Sequence, residues 1–207
     1  MKLYFTQALM LSGVLAIIFY VLHVIIGGIK WKGYSHLQQP VSDLTAAGAP
    51  NRALMLMLTT VYGVLALLFA VSFTILIGGE HHALVFWGGV SFILLHLVSV
   101  LYPLFPQDLP GAKSTLKGRM HIYITALIVP FTILTPFLTG FGFIAEPEWH
   151  VFGVYSIITG VLIFIFGGVT AIFYAKKLSY FGLIERLNIG TLQVWTFVLS
   201  LELVLMK

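Results

Sequence analysis

The chain has 207 residues, of which 59% are hydrophobic and only 9% charged, with a net charge of +4. Soluble domains carry roughly 25% charged residues, so this composition and a mean hydropathy of +1.03 exclude a soluble protein and point to an all-α polytopic membrane protein. Cysteine is absent, which removes disulfides, thiol nucleophiles and thiolate metal sites. The excess cations lie in short loops between apolar runs, where they read as a topology signal and as contacts to membrane lipids, not as a nucleic-acid surface.

A bilayer span needs about 20 mostly apolar residues, and the chain has room for six of them in one domain, residues 1–207. The first helix is predicted over about 4–29 and is followed by Lys30, Trp31 and Lys32 as an interfacial stop. No small-residue cleavage site follows it, so it reads as an uncleaved span. The longest polar connection, 30–52, precedes a second helix over about 53–77 that ends at Gly78-Gly79. A tight turn, Glu80-His81-His82, leads to a third helix over about 83–102. The proline-rich stretch LYPLFPQDLPGAKSTLKGRMH separates it from a fourth helix over about 120–140, with helices over about 149–175 and 183–206 completing the bundle.

Lys and Arg are unevenly shared between the two sets of connections. Those after the first, third and fifth helices hold nine (Lys30, Lys32, Arg52, Lys113, Lys117, Arg119, Lys176, Lys177 and Arg186) and the other side holds Lys2 and Lys207. Cations mark the cytoplasmic side, so both termini are expected outside a cell membrane that the chain crosses several times. Glu80, Glu146 and Glu148 fall on the outer turns without a cation. Gly153, Gly160, Gly167 and Ala171 in the fifth helix, and Gly63, Ala66 and Ala70 in the second, form small faces suited to close helix approach. Pro130 and Pro136 lie inside the fourth helix, where each removes a ladder donor.

Ionisable residues inside spans are costly, and so are candidates for function. His96 lies seven residues before Pro103, with Ser99 on its face, and His23 lies at matching depth, seven residues before Lys30. His121 opens the fourth helix; Thr125, Thr132 and Thr139 follow within about 40° of one another, a polar stripe expected to face the interior. His23, His96 and His121 are the candidate metal ligands, for zinc or iron, and two imidazoles would also suit haem. No HxxxH or HExxH pair is present to put two of these ligands on one helical face. Asp43 and Asp108 sit in basic loops stiffened by prolines, and Ser42 or Asp43 could cap a short interfacial helix. Arg119 and Arg186 are candidates for lipid phosphate.

The motifs YSHLQQPVSDLTAAGAPNR, FPQDLPG and GLIERLNIGTLQVW, in that order and spacing, resemble the domain-of-unknown-function 998 family of bacterial and archaeal integral membrane proteins. The resemblance implies a multi-span bundle with a shared polar face that includes Ser42, Asp43, Pro106, Asp108, His121 and Arg186. It assigns no activity. A more distant likeness to Frag1-type membrane proteins implies lipid handling.

Two functional readings follow. In the first, the chain binds a lipid or small ligand in a cytoplasmic-face pocket lined by Asp43, His96, Asp108, His121 and Arg186. A lipid-modifying hydrolase or transferase is included in that reading, with a histidine–aspartate pair activating water or a lipid hydroxyl. In the second, it is a transporter or a non-catalytic membrane partner subunit.

Overall fold

A computed structural model describes residues 2–205; Met206, the predicted end of the last helix, and Lys207, one of the two outer cations, lie outside the described residues. Six helices follow one another: α1 (Lys2–Lys30), α2 (Arg52–Phe73), α3 (Ala83–Ser99), α4 (Leu116–Phe143), α5 (His150–Lys176) and α6 (Phe181–Leu205). All except α3 are long and apolar enough to cross a membrane. At 17 residues, α3 rises about 25 Å, short of a hydrocarbon layer about 30 Å thick. Its predicted continuation to Tyr102 forms successive i→i+3 turns instead, with Val100, Leu101 and Tyr102 donating to Leu97, Val98 and Ser99. Pro103 bars the residue before it from helical geometry.

Helix α4 departs from expectation in the other direction. It begins at Leu116, capped by Thr115, whose hydroxyl accepts from the Gly118 N–H at 3.0 Å, so His121 sits in its second turn. The end of α2 also differs, widening into a π turn over Thr74–Gly78. There the Thr74 hydroxyl donates to the Ala70 carbonyl at 2.6 Å, a bond that competes with the backbone ladder.

Each helix packs on its neighbour in sequence, and α6 returns to pack on α1, closing a ring. The buried centre is aromatic: Trp195 is fully buried against Phe92 and Phe152, and its indole N–H donates to the Ser156 hydroxyl at 2.8 Å. Lipid offers hydroxyls no partner, so they are satisfied within the protein. Ser200 does this across a helix pair, donating to the Met10 carbonyl at 2.6 Å and accepting from the Val14 N–H at 2.9 Å. It thus enters the α1 ladder between residues four apart.

Small residues set some of the closest approaches. A Cβ on Gly140 would lie 2.8 Å from the Gly153 carbonyl oxygen, and one on Gly160 would lie 2.9 Å from the Phe137 ring. Gly153 and Gly160 of the expected α5 face thus pack on α4, while Gly167 meets only Asn188 of α6 at 3.9 Å and Ala171 is exposed. Gly63 meets nothing within 4 Å and plays no such part. The threonine stripe of α4 also fails as an inward face: Thr139 is buried, Thr132 half-buried and Thr125 exposed. Thr125 and Thr132 bond to carbonyls of their own helix, His121 and Val129, and so do not need the interior.

Because the atoms opposing Gly140 are backbone, Gly140→Ala forces α4 and α5 apart and is expected to cost about 1–3 kcal/mol. Gly190, with nothing within 4 Å of its Cβ position, is the control: Gly190→Ala should leave stability unchanged or slightly raised. Thermal denaturation in detergent measures both.

Candidate functional site at the basic end of the bundle

The connections after α1, α3 and α5 meet at one end. Ala47 N–H donates to the Gln107 carbonyl, and Gly182 N–H to the Gln38 carbonyl. The nine cations counted above belong to this end. Docking of the long loop needs two glycines. A Cβ on Gly28 would fall 2.2 Å from the His36 ring, and one on Gly182 would fall 2.3 Å from the Gln39 carbonyl oxygen.

Arg186, in the second turn of α6, holds this loop in place. Its Nη1 donates to the carbonyls of His36, Gln39 and Gly182 at 2.7, 2.7 and 2.9 Å, and Nη2 donates to the Tyr34 hydroxyl. Tyr34 in turn donates to the Pro40 carbonyl at 2.7 Å. Burial pushes the Tyr34 hydroxyl up to about 12, so it is a neutral donor. Neighbouring Glu185 accepts from the Val41 N–H at 2.6 Å. Burial also lowers the affinity of the His36 imidazole for a proton.

Val41–Thr45 forms a short 3-10 turn whose N-cap is Pro40, without a side-chain cap. The expected capping by Ser42 or Asp43 does not occur, because both side chains are engaged elsewhere. Ser42 donates to Gln107 Oε1 at 2.6 Å, and Gln107 Nε2 donates to Asp43 Oδ1 at 3.2 Å. Gln39 Nε2 donates to the other Asp43 oxygen at 3.4 Å. Asp43 is 0% exposed, and burial raises its carboxyl to about 6.

Asp108 and His121 do not join this group. Asp108 accepts from the Thr115 N–H and hydroxyl, both at 2.8 Å, bonds that hold its carboxyl below the usual carboxylate range, with a smaller contribution from the Arg119 charge. It is the brace behind the α4 cap. Arg119 is exposed in the first turn of α4. His121 is buried, with Nδ1 2.9 Å from the Phe105 carbonyl oxygen and its ring against Tyr102. Burial pushes the Tyr102 hydroxyl up to about 12, and that hydroxyl lies 3.0 Å from the Thr125 hydroxyl. Among the described residues the one histidine–carboxylate pair is His81–Glu146, at the opposite end.

His23 and His96 lie one layer deeper, joined through two tyrosine rings. Tyr20 is 6.5 Å from His23 and 5.4 Å from Tyr62, and Tyr62 is 6.2 Å from His96. Gln193 donates to the Tyr62 hydroxyl at 2.9 Å. His121 is bound elsewhere, to Tyr102 and Phe105, and no group of three or more His, Asp or Glu among the described residues is arranged to hold a metal. The expected three-histidine ligand set is therefore not assembled. His23, 2% exposed, has no partner for either ring nitrogen, and His96 has none for Nε2.

Beside this layer, α1 and α6 leave a cleft of about 210 Å³ lined by Tyr20, Val21, Val24, Ile25, Gly190 and Arg186. Its walls are aliphatic and aromatic, and Arg186 is among the bordering residues. Tyr20, Tyr34, Tyr62, Gln107, Glu185 and Gln193 were not singled out in the sequence. Glu185 beside Arg186, and Gln193 within an apolar run, were the available signals.

A family model described as "Protein of unknown function (DUF998)" matches residues 14–202. The chain belongs to the DUF998 family. The match runs from within α1 to near the end of α6 and includes every residue of the basic-end site. No curated protein and no solved structure matches the chain.

Two measurements probe the site. Asp43 holds its proton more tightly in the folded state, so its contribution is complete below about pH 4 and is lost as pH rises towards about 6. The loss is on the order of 3 kcal/mol; Asp43→Asn should flatten that part of a stability–pH profile. His23→Leu removes an imidazole that makes no hydrogen bond, so the variant should be as stable as the parent, or more stable by about 1–2 kcal/mol. A lower midpoint for His23→Leu would reveal a partner for the imidazole.

Proposed function

We propose that the chain crosses the cell membrane six times with both termini outside, and that it binds a lipid or small amphiphile at its cytoplasmic end. The orientation rests on the nine cations gathered at the loop-rich end. The turns after Ser99 would carry α3 through the remaining thickness. The ligand enters the α1–α6 cleft from the bilayer, its apolar part against Val21, Val24 and Ile25 and its polar end towards Arg186 and Tyr20. The observation that carries this reading is an apolar cleft between α1 and α6 bordered by Tyr20 and Arg186.

Binding is favoured over hydrolysis or group transfer because the expected acid–base pair is committed to the fold. Asp108 gives both oxygens to Thr115, and His121 Nδ1 faces the Phe105 carbonyl. Ser42, Asp43 and Gln107 form a set of hydrogen bonds that joins the loop after α1 to the loop after α3.

Gly190 lines the cleft and has open space at its Cβ position, so Gly190→Phe fills the cleft while leaving the Arg186 bonds in place. Native mass spectrometry of protein purified in mild detergent should find lipid retained by the parent and reduced about tenfold or more in Gly190→Phe. Equal retention by the two proteins would remove the cleft as the binding site.

A further inference from the structure

At the end of the bundle away from Arg186, two adjacent histidines have opposed hydrogen-bonding roles. His81 and His82 lie in the turn between α2 and α3. His81 Nδ1 pairs with Glu146 Oε2 in the turn between α4 and α5. The backbone N–H of His82 donates to the other oxygen of the same carboxylate at 3.3 Å. The His82 side chain serves its own helix instead: Nδ1 accepts from the Leu84 N–H at 3.2 Å and caps α3. The His81 ring stands nearly perpendicular to Phe143 and Trp149, at centroid distances of 5.2 and 5.9 Å, so the turn rests on buried aromatic side chains.

A ring nitrogen that accepts a hydrogen bond carries no proton. The His82 cap therefore belongs to the neutral imidazole, and a proton on Nδ1 would set one donor against another at the Leu84 N–H. For His81 the sign is reversed. An imidazolium holds a carboxylate more firmly than a neutral ring does, because both partners of the hydrogen bond are then charged. Imidazole is the side chain that changes charge between about pH 5 and 8, so one change of conditions acts on both residues.

We infer that the His81–His82 turn is a proton-operated switch: in mild acid it is clasped more firmly to Glu146 while the first turn of α3 loses its cap. The other ionisable groups in and beside the two turns are Glu80, Glu148 and His150. Glu80 and Glu148 are exposed. His150 Nδ1 lies 2.8 Å from the Ile144 carbonyl oxygen, to which the ring donates in either charge state, so this contact does not reverse. The switch has an outlet in α3. Leu84 and Trp87 of its first turns line a groove of about 410 Å³ against Phe131, Leu134 and Leu138 of α4, and loosening that end of α3 reshapes the groove. In the orientation proposed above the turn senses pH outside the cell, but the switch itself does not depend on that orientation.

Hydrogen exchange of single amides in the whole protein in detergent tests this, at about pH 8 and about pH 5.5, with each rate divided by the chemical exchange rate at that pH. In the parent the Leu84 amide should exchange about fivefold faster in acid as its cap is lost. The His82 amide, held by Glu146, should exchange about twofold slower. His82→Ser supplies a cap that does not titrate; it should remove the Leu84 response and leave that of the amide at position 82. Glu146→Gln should do the reverse. Changes of the same sign at the two amides, a change at only one of them, or no change at either would overturn the switch. So would a Leu84 response that survives in His82→Ser. The opposite signs in the parent decide the matter if Glu146→Gln fails to fold.

Discussion

The guanidinium of Arg186 ties the basic end of this bundle together. Three carbonyls from two separate segments converge on Nη1, and the adjacent Glu185 takes the Val41 N–H. One helical turn therefore binds the loop after α1 through both a guanidinium and a carboxyl group. Carbonyls in a loop over a membrane-embedded bundle need donors, since each unpaired buried group costs free energy comparable to a lost hydrogen bond. Arg186 supplies several from a single planar group, which also fixes the loop relative to α6. From that tie follow the position of the Val41–Thr45 turn, the burial of Asp43 and the contact of Ser42 with Gln107 in the next loop.

The helices below obey a different rule. The gain from burying apolar side chains against each other is small when the alternative is lipid, so packing and internal hydrogen bonds hold them together. Gly140 against Gly153 and Ser200 against the α1 backbone are two forms of the same solution. His23 and His96 depart from it, buried with ring nitrogens left unpartnered. They border the tyrosine layer that lines the cleft at Tyr20.

The two conspicuous loop carboxylates have unlike roles despite similar surroundings in the sequence. Asp108 is ionised by its bonds to Thr115 and secures the start of α4. Asp43 is buried among amides and favours its proton more than an exposed carboxylate would. Neither meets a histidine, so the polar residues at this end build a rigid frame around Arg186.

Composition and hydropathy determined the all-α membrane class, the helix order and the gathering of cations at one end, because each is a sum over neighbouring residues that no distant contact changes. The motifs around Ser42, Asp108 and Arg186 carried the family. Helix ends were read to within a few residues where a glycine or a proline acts locally. They were misread at α3 and α4, where Pro103 and the Thr115 cap decided the boundary. Only the tertiary structure could say that His121 turns to Phe105 and that Thr125 and Thr132 bond to carbonyls of their own helix. The same is true of Arg186, which spends three bonds on the loop and leaves its buried Nε without a partner. Hydrogen-bond partners are chosen by direction and distance across segments far apart in the chain: Arg186 meets Gln39 across 147 positions and Tyr34 across 152. No local pattern of residues encodes that choice.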